Sequence, residues 1–296
     1  MQSFKCSLNS GDFAVSTLQH NFAGMSAPAI TVLLPAYNCS IYIAQTIDSL
    51  LSQTLIDFEL LIINDGSTDD TEQVILSYND TRIRYLKNEA NKGLVLTLNK
   101  GIQEATGSYI ARMDADDIAL PNRLQLQKQW LDQHPDTAAI ACTIQFIDAK
   151  GNEQGIWKED KATCSYEAIK KMLPRENCIA HPTIMIRKEI ALAYPYDEKQ
   201  LHCEDYDLWL RILSDGLVIE KLPQPLLLYR NHEGSITGVH LKKMNPFFKQ
   251  FQCKRRFLSK RIEHGKWGIF ESRVLQATLY DGIMGLGKQL KNNLTS

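Results

Sequence analysis

Residues 109–124 read YIARMDADDIALPNRL. An apolar run from Tyr109 to Met113 stops at Asp114, and Asp116 and Asp117 follow at once. Carboxylates this close repel one another unless a cation sits among them. Acidic residues are also common in loops and at helix starts, so the cluster alone decides little. Its setting decides more. A short buried strand ends on an acidic turn, and after Pro121 the pattern predicts a helix from Arg123 to Gln133.

The same punctuation recurs on the N-terminal side. ITVLLP, starting at Ile30, reads as a buried strand ending at Pro35. Helical spacing then runs from Ile41 to Gln53 through Ile43, Ile47, Leu50 and Leu51. FELLIIN predicts a second strand, ending at Asn64, and STDDTEQ opens a helix with Asp69 and Glu72 spaced as a capping box. RIRYL is a third strand, Leu94 to Ala105 a third helix, and YIARM the fourth strand. Near-continuous Val/Ile/Leu strands alternating with helices predict an α/β fold, a Rossmann-like, mostly parallel sheet with helices on both faces. Further on, AAIACTIQFID reads as a strand, AKGN as a turn, YEAIKKML as a helix and CIAHPTIMI as a strand. The helix EDYDLWLRILSD and the strand PLLLYR close the core near residue 240.

Composition bounds the function. The chain has 296 residues, 44% hydrophobic and 23% charged, as in ordinary globular proteins. A net charge of −1 argues against nucleic acid as a partner. The average hides an asymmetry: residues 241–296 hold 12 Lys/Arg against three acids. Seven scattered cysteines without a CxxC pair suit reduced thiols in a cytoplasmic protein better than zinc or disulfides. Residues 1–28 lack a basic start followed by an apolar block, and no run approaches the roughly 20 apolar residues of a membrane span.

The polar loops carry the chemistry. PAYN follows the first strand, NDGS the second and DADD the fourth. Parallel strands end on one edge, where ligands of open α/β sheets bind, so distant loops share one rim. Neither GxGxxG nor GxxxxGK[ST] occurs, so no glycine cradle for phosphate is expected. Asp114 and Asp116 instead supply hard oxygens suited to Mg²⁺ or Mn²⁺. An EF-hand fails, because Ala119 stands at its glycine position and Gln125 at its final glutamate. DADDI also fits the nucleophile motif of a haloacid-dehalogenase-like phosphatase, with Asp114 attacking. That motif normally follows a first strand and not a fourth.

Taken in order, the stretch from ITVLLPAYN to NDGSTDDT, then NKGLVLTLNKGI, ATGSYIARMDADDIALPNRL and EDYDLWLRI resemble a family 2 glycosyltransferase of the GT-A fold, from about Ile30 to about Thr237. The resemblance implies inverting transfer of a sugar from a nucleotide diphosphate donor, usually a UDP-sugar, with a divalent metal, Mn²⁺ or Mg²⁺. It implies a saccharide or lipid-linked saccharide acceptor and a role in bacterial surface-polysaccharide synthesis, such as lipopolysaccharide. Pro35, Ala36 and Tyr37 then hold the base, Asp65 accepts its N3–H, and Asp114 faces the ribose. Asp116 ligates the metal, Asp117 serves as a cap or supporting acid, and Arg123 faces the phosphates. Asp205 is the expected general base and Glu204 orients the acceptor. Trp209 is either an acceptor platform or core, with core favoured. His232, in YRNHEGSIT, is a possible further metal ligand, and His181 lies near the acceptor side.

The expected organisation is a tail (1–28), a GT-A domain (29–240) and a basic helical extension (241–296). The domain divides into a nucleotide-binding half (29–120) and an acceptor half (121–240). In the extension, residues 249–270 interleave Lys and Arg with aromatic and aliphatic residues, the composition of an interfacial helix. Peripheral association with an anionic membrane at the inner face of the cell and packing against the domain are both open readings. A phosphatase and a non-catalytic binding protein are the alternatives to a transferase.

Overall fold

The computed structural model describes residues 27–235 and 245–295. Strand β1 (Ile30–Ala36) lies between β2 (Phe58–Asn64) and β4 (Tyr109–Arg112), with β3 (Ile83–Lys87) outside β2, all parallel. Every residue of β1 and β2 is buried, which is why neither alternates with polar residues. Successive side chains still face opposite ways. Leu33, Leu61 and Ile63 enter one core with Val95, Leu98 and Ile102 of α3 (Leu94–Glu104). Val32, Leu34, Leu60 and Ile62 enter the other, with Ile43, Ile47 and Leu50 of α1 (Ile43–Leu51) and Leu124 and Leu131 of α4 (Arg123–Gln133). Helix α2 (Thr71–Leu76) joins β2 to β3.

The sheet has nine strands in the order β3-β2-β1-β4-β8-β6-β9-β5, with β7 beside β6. These are β5 (Ile118–Ala119), β6 (Thr137–Ile147), β7 (Glu153–Ile156), β8 (Met185–Arg187) and β9 (Val218–Arg230). Strand β8 is antiparallel to both β4 and β6, so β6 and its parallel neighbour β9 run in the sense of β1 to β4. Six strands therefore end on one edge. Helices α5 (Tyr166–Met172), α6 (Lys188–Ala193) and α7 (Glu204–Ser214) fill the connections, and α8 (Pro246–Glu263) and α9 (Ile269–Thr295) follow. The expected mostly parallel sheet, covered on both faces and followed by a helical extension, is the architecture found. Among the described residues no helix is long and apolar enough to cross a membrane.

Three local expectations are corrected. The capping box does not form: Glu72 accepts from Tyr85 Oη at 2.9 Å and Lys87 Nζ at 2.5 Å, across on β3. CIAHPTIMI is a strand only from Met185, because His181–Thr183 make a 3-10 turn around Pro182. Finally, residues 249–270 are not one interfacial helix. The helix stops at Glu263, and Phe257, Leu258 and Phe270 turn inward to join the core that holds Trp209. Most of the expected tail and residues 236–244, including the end of YRNHEGSIT, lie outside the described residues.

Candidate active site

The loops after β1 and β2 are stitched together at the strand ends. Asn38 Oδ1 accepts from Thr68 N at 2.8 Å, and Asn38 N donates to Ser67 Oγ at 3.1 Å. Gly66 makes the turn with φ +70°, and a Cβ there would lie 2.6 Å from the Ala90 backbone, so only glycine fits. Pro35 and Ala36 are buried inside β1, and the Ala36 carbonyl accepts from Asp65 N at 2.8 Å. Of that trio, Tyr37 alone presents its ring to solvent. Asp65 Oδ1 accepts from Asn88 Nδ2 at 2.8 Å and Lys92 N at 3.0 Å, and Oδ2 from Gly93 N at 2.8 Å. The buried carboxylate thus fixes the β3–α3 loop and keeps acceptor capacity on Oδ2.

At the end of β4, Arg112 forms a two-pronged ion pair with both oxygens of Asp114. Arg112 is buried within an otherwise apolar strand, and its Nε has no partner. Burial lowers its affinity for a proton, but the Asp114 charge outweighs that and holds it charged. Asp116 Oδ2 meets His232 Nε2 at 2.8 Å, from the loop after β9. Asp117 is 1% exposed; its Oδ1 accepts from Arg230 N at 2.8 Å and its Oδ2 has no partner. Arg230 also donates from Nε to the Asp116 carbonyl at 2.8 Å and lies 4.8 Å over the Tyr42 ring. Burial first, then the neighbouring charges, pushes the Asp117 carboxyl well above the usual carboxylate range. Burial also raises Asp114, against the pull of Arg112.

One oxygen from each of Asp114, Asp116 and Asp117 lies within 4.8 Å of the others. Three hard donors, one of them from a carboxylate with an orphaned buried oxygen, fit a divalent cation of the Mg²⁺ or Mn²⁺ type. Asp117 is therefore more than a cap, since the residue preceding α4 is Asn122.

Helix α7 begins with Glu204 and Asp205. Asp205 Oδ2 accepts from Asn177 Nδ2 at 2.7 Å and Oδ1 from Tyr206 N at 2.7 Å. Burial raises its carboxyl, while those two bonds, Arg112 and Lys249 hold it down. Glu204 is pushed up to about 7 by burial and then by the charge of Asp205. The Asp205 charge also raises the Asp114 carboxyl, so the two acidic groups are near enough to interact. Asp207 is turned away, paired with Arg211 at 2.7 Å.

Several sequence candidates do not join the cleft. Arg123 is fully buried, donating to Gln127 Oε1 at 3.1 Å and to the Arg112 carbonyl at 2.7 Å, so it braces the DADD loop from below and does not face phosphate. Trp209 is core, 0% exposed. His181 is buried on Tyr196 Oη at 2.7 Å, and burial, with the Arg112 charge, holds it neutral well below the usual histidine range. Conversely, Arg112, Arg230, Asn177 and Lys249 were missed. The arginines had a visible signal, each being a lone charge in an apolar strand (YIARM, LLLYR). Asn177 and Lys249 had none.

Comparison with known proteins agrees with this geometry. Residues 31–193 match the profile described as Glycosyl transferase family 2. The chain is 35% identical over 211 residues to the O-antigen biosynthesis glycosyltransferase WbnJ of Escherichia coli, covering 70% of this chain and 81% of WbnJ. It is 30% identical over 216 residues to the E. coli UDP-Glc:alpha-D-GlcNAc-diphosphoundecaprenol beta-1,3-glucosyltransferase WfaP, covering 73% of this chain and 82% of WfaP. Its fold resembles that of S. aureus TarS residues 1–349, solved with UDP-GlcNAc, with a TM-score of 0.67 at 18% identity over 84% of this chain and 70% of that one. The sheet is that of the GT-A glycosyltransferases. With a family profile spanning both the β1 and β4 loops, the chain belongs to glycosyl transferase family 2.

Proposed function

We propose that the protein transfers a sugar from a UDP-sugar to a saccharide carried on a lipid, with inversion, in bacterial surface-polysaccharide synthesis at the cytoplasmic face of the membrane. The observation that carries this reading is the DADD cluster, in which one oxygen from each of Asp114, Asp116 and Asp117 lies within 4.8 Å of the others, with the Asp205 charge acting on Asp114. Tyr37 offers a ring for stacking on the base, and Asp65 Oδ2 a remaining lone pair for its N3–H. Asp116 and Asp117, with Asp114 and His232 beside them, hold the cation. When bound, it neutralises charge on the diphosphate leaving group as a Lewis acid.

The protein groups then act as follows. Asn177 and the Tyr206 amide orient the Asp205 carboxylate, which takes the proton of the acceptor hydroxyl. That oxygen's electron pair forms the new bond to C1 as the C1–O bond to the diphosphate breaks on the opposite face. Glu204, raised to about 7 by burial and by the Asp205 charge, is placed to titrate near neutral pH, while Asp205 has two hydrogen bonds, from Asn177 and the Tyr206 amide, that favour its ionised form. A phosphatase needs Asp114 as a free nucleophile. Both its oxygens are tied to Arg112.

The test is a screen of nucleotide sugars for donor hydrolysis and transfer with Mn²⁺. Release of UDP from one UDP-sugar, abolished by EDTA, is expected. Turnover indifferent to EDTA, or phosphate release from an aryl phosphate instead, overturns the reading.

A further inference from the structure

Helix α9 is apolar on both sides. Phe270, Val274, Thr278, Asp281 and Gly285 recur at helical spacing and are buried, and Gly285 and Gly282 pack against Phe248 and Phe251 of α8. The opposite stripe should be polar in a helix that ends at solvent. It is not. Leu275, Leu279, Ile283 and Leu286 fall on one line and Tyr280 and Met284 beside it, with Leu279 59%, Ile283 70% and Leu286 57% exposed. Exposed Trp267 and Ile269 continue the surface at the helix start.

The exposed charges among the described side chains of α9 have one sign. Both acids among the described side chains of α9, Glu271 and Asp281, are buried and paired, with Arg261 and Lys254. Arg273 and Lys288 are exposed and make no ion pair among the described residues. Two copies of such a face bring cations together with no acid to meet them. An anionic lipid surface meets both features, burying the leucines and tyrosine at the headgroup boundary and attracting the cations.

Its place in the molecule fits that partner. Helix α8 packs on α7, and Lys249 in its first turn bears on Glu204 and Asp205, with α9 lying on α8 as the outer layer. We propose that the outer face of α9 docks on the anionic surface of the membrane and brings the acceptor side of the cleft to a lipid-held substrate; its role, though not the docking, rests on the reading given above.

Sedimentation of the full chain with phosphatidylglycerol-containing and pure phosphatidylcholine vesicles tests it, with donor hydrolysis read on the same samples. Binding to the anionic vesicles, weakened by salt, is expected. The triple variant Leu279→Gln, Ile283→Gln, Leu286→Gln should bind at least about tenfold more weakly and keep parental hydrolysis. Arg273→Glu should lose preference for anionic over neutral vesicles. The docking is overturned if the parent stays in the supernatant at low salt, if the triple variant binds as its parent does, or if that variant changes only self-association. Loss of hydrolysis in the parent bears on the transfer reaction and leaves the vesicle result standing.

Discussion

Asn177 Nδ2 donates to Asp205 Oδ2 at 2.7 Å, joining the segment before β8 to the first turn of α7. The bond favours the ionised carboxylate, against burial, which raises it. Asn177→Ala should therefore raise the pKa of Asp205. A base works only when ionised, so the acid limb of the pH–rate profile should move to higher pH. Transfer at neutral pH should fall by about tenfold, within the range that general-base catalysis spans. An unmoved acid limb in the variant contradicts the assignment.

Glu204 sits beside this base with its carboxyl raised to about 7. Glu204→Gln fixes it in a neutral form and should flatten any change in acceptor KM between pH 6 and 8 while leaving the acid limb set by Asp205. Measured kcat and KM across that range separate the two groups. If kcat instead falls by orders of magnitude at all pH values, Glu204 is the base.

Asp117 is the buried member of the acidic cluster, and burial and its neighbours raise its carboxyl well above the ordinary range. A raised carboxyl gives stability that is present below its unfolded pKa and lost as pH rises through the folded one. Without metal, Asp117→Asn should remove that loss, because its Oδ1 still accepts from Arg230 N. A gain of about 1–2 kcal/mol at neutral pH is expected. Added Mn²⁺ should raise the Tm of the parent more than that of the variant. Equal metal-induced shifts in thermal unfolding argue against Asp117 as a ligand.

Strands and helices set by continuous burial are legible in the sequence. FELLIIN and the span from Arg123 to Gln133 match β2 and α4 residue for residue. What spacing alone could not supply was the distant partner. Glu72 stands where a capping box needs it, yet Tyr85 and Lys87 from β3 take both its oxygens. Arg123 stands after an acidic loop, as a phosphate ligand would, yet Gln127 and the Arg112 carbonyl hold it inside the core. Asp114 and Asp116 stand out as an acidic turn at a strand end, whereas Asp65 and Asp205 are singled out through the family resemblance. Arg112, Asn177 and Lys249 act through space, and only the fold joins them to those acids.

Lys254 and Asp281 form a buried ion pair at 2.8 Å, with 0% and 5% side-chain exposure, that fastens α9 to α8. Lys254→Met leaves the Asp281 charge buried without its partner. Destabilisation of about 3–5 kcal/mol is expected, and the double variant with Asp281→Leu should recover most of it. Denaturant unfolding of the two variants and the parent measures this. A single variant as stable as its parent shows that α9 is held some other way.

In the proposed reaction Asp116 serves the metal and nucleotide and Asp205 accepts the proton. Transfer and UDP binding, measured together on Asp205→Asn and Asp116→Ala with Mn²⁺ present, test it most directly. Asp205→Asn should lose transfer by about 10²–10⁴-fold with UDP affinity nearly unchanged, whereas Asp116→Ala should weaken metal-dependent UDP binding itself. Near-normal transfer by Asp205→Asn, or a loss of UDP binding as large as that of Asp116→Ala, contradicts the account.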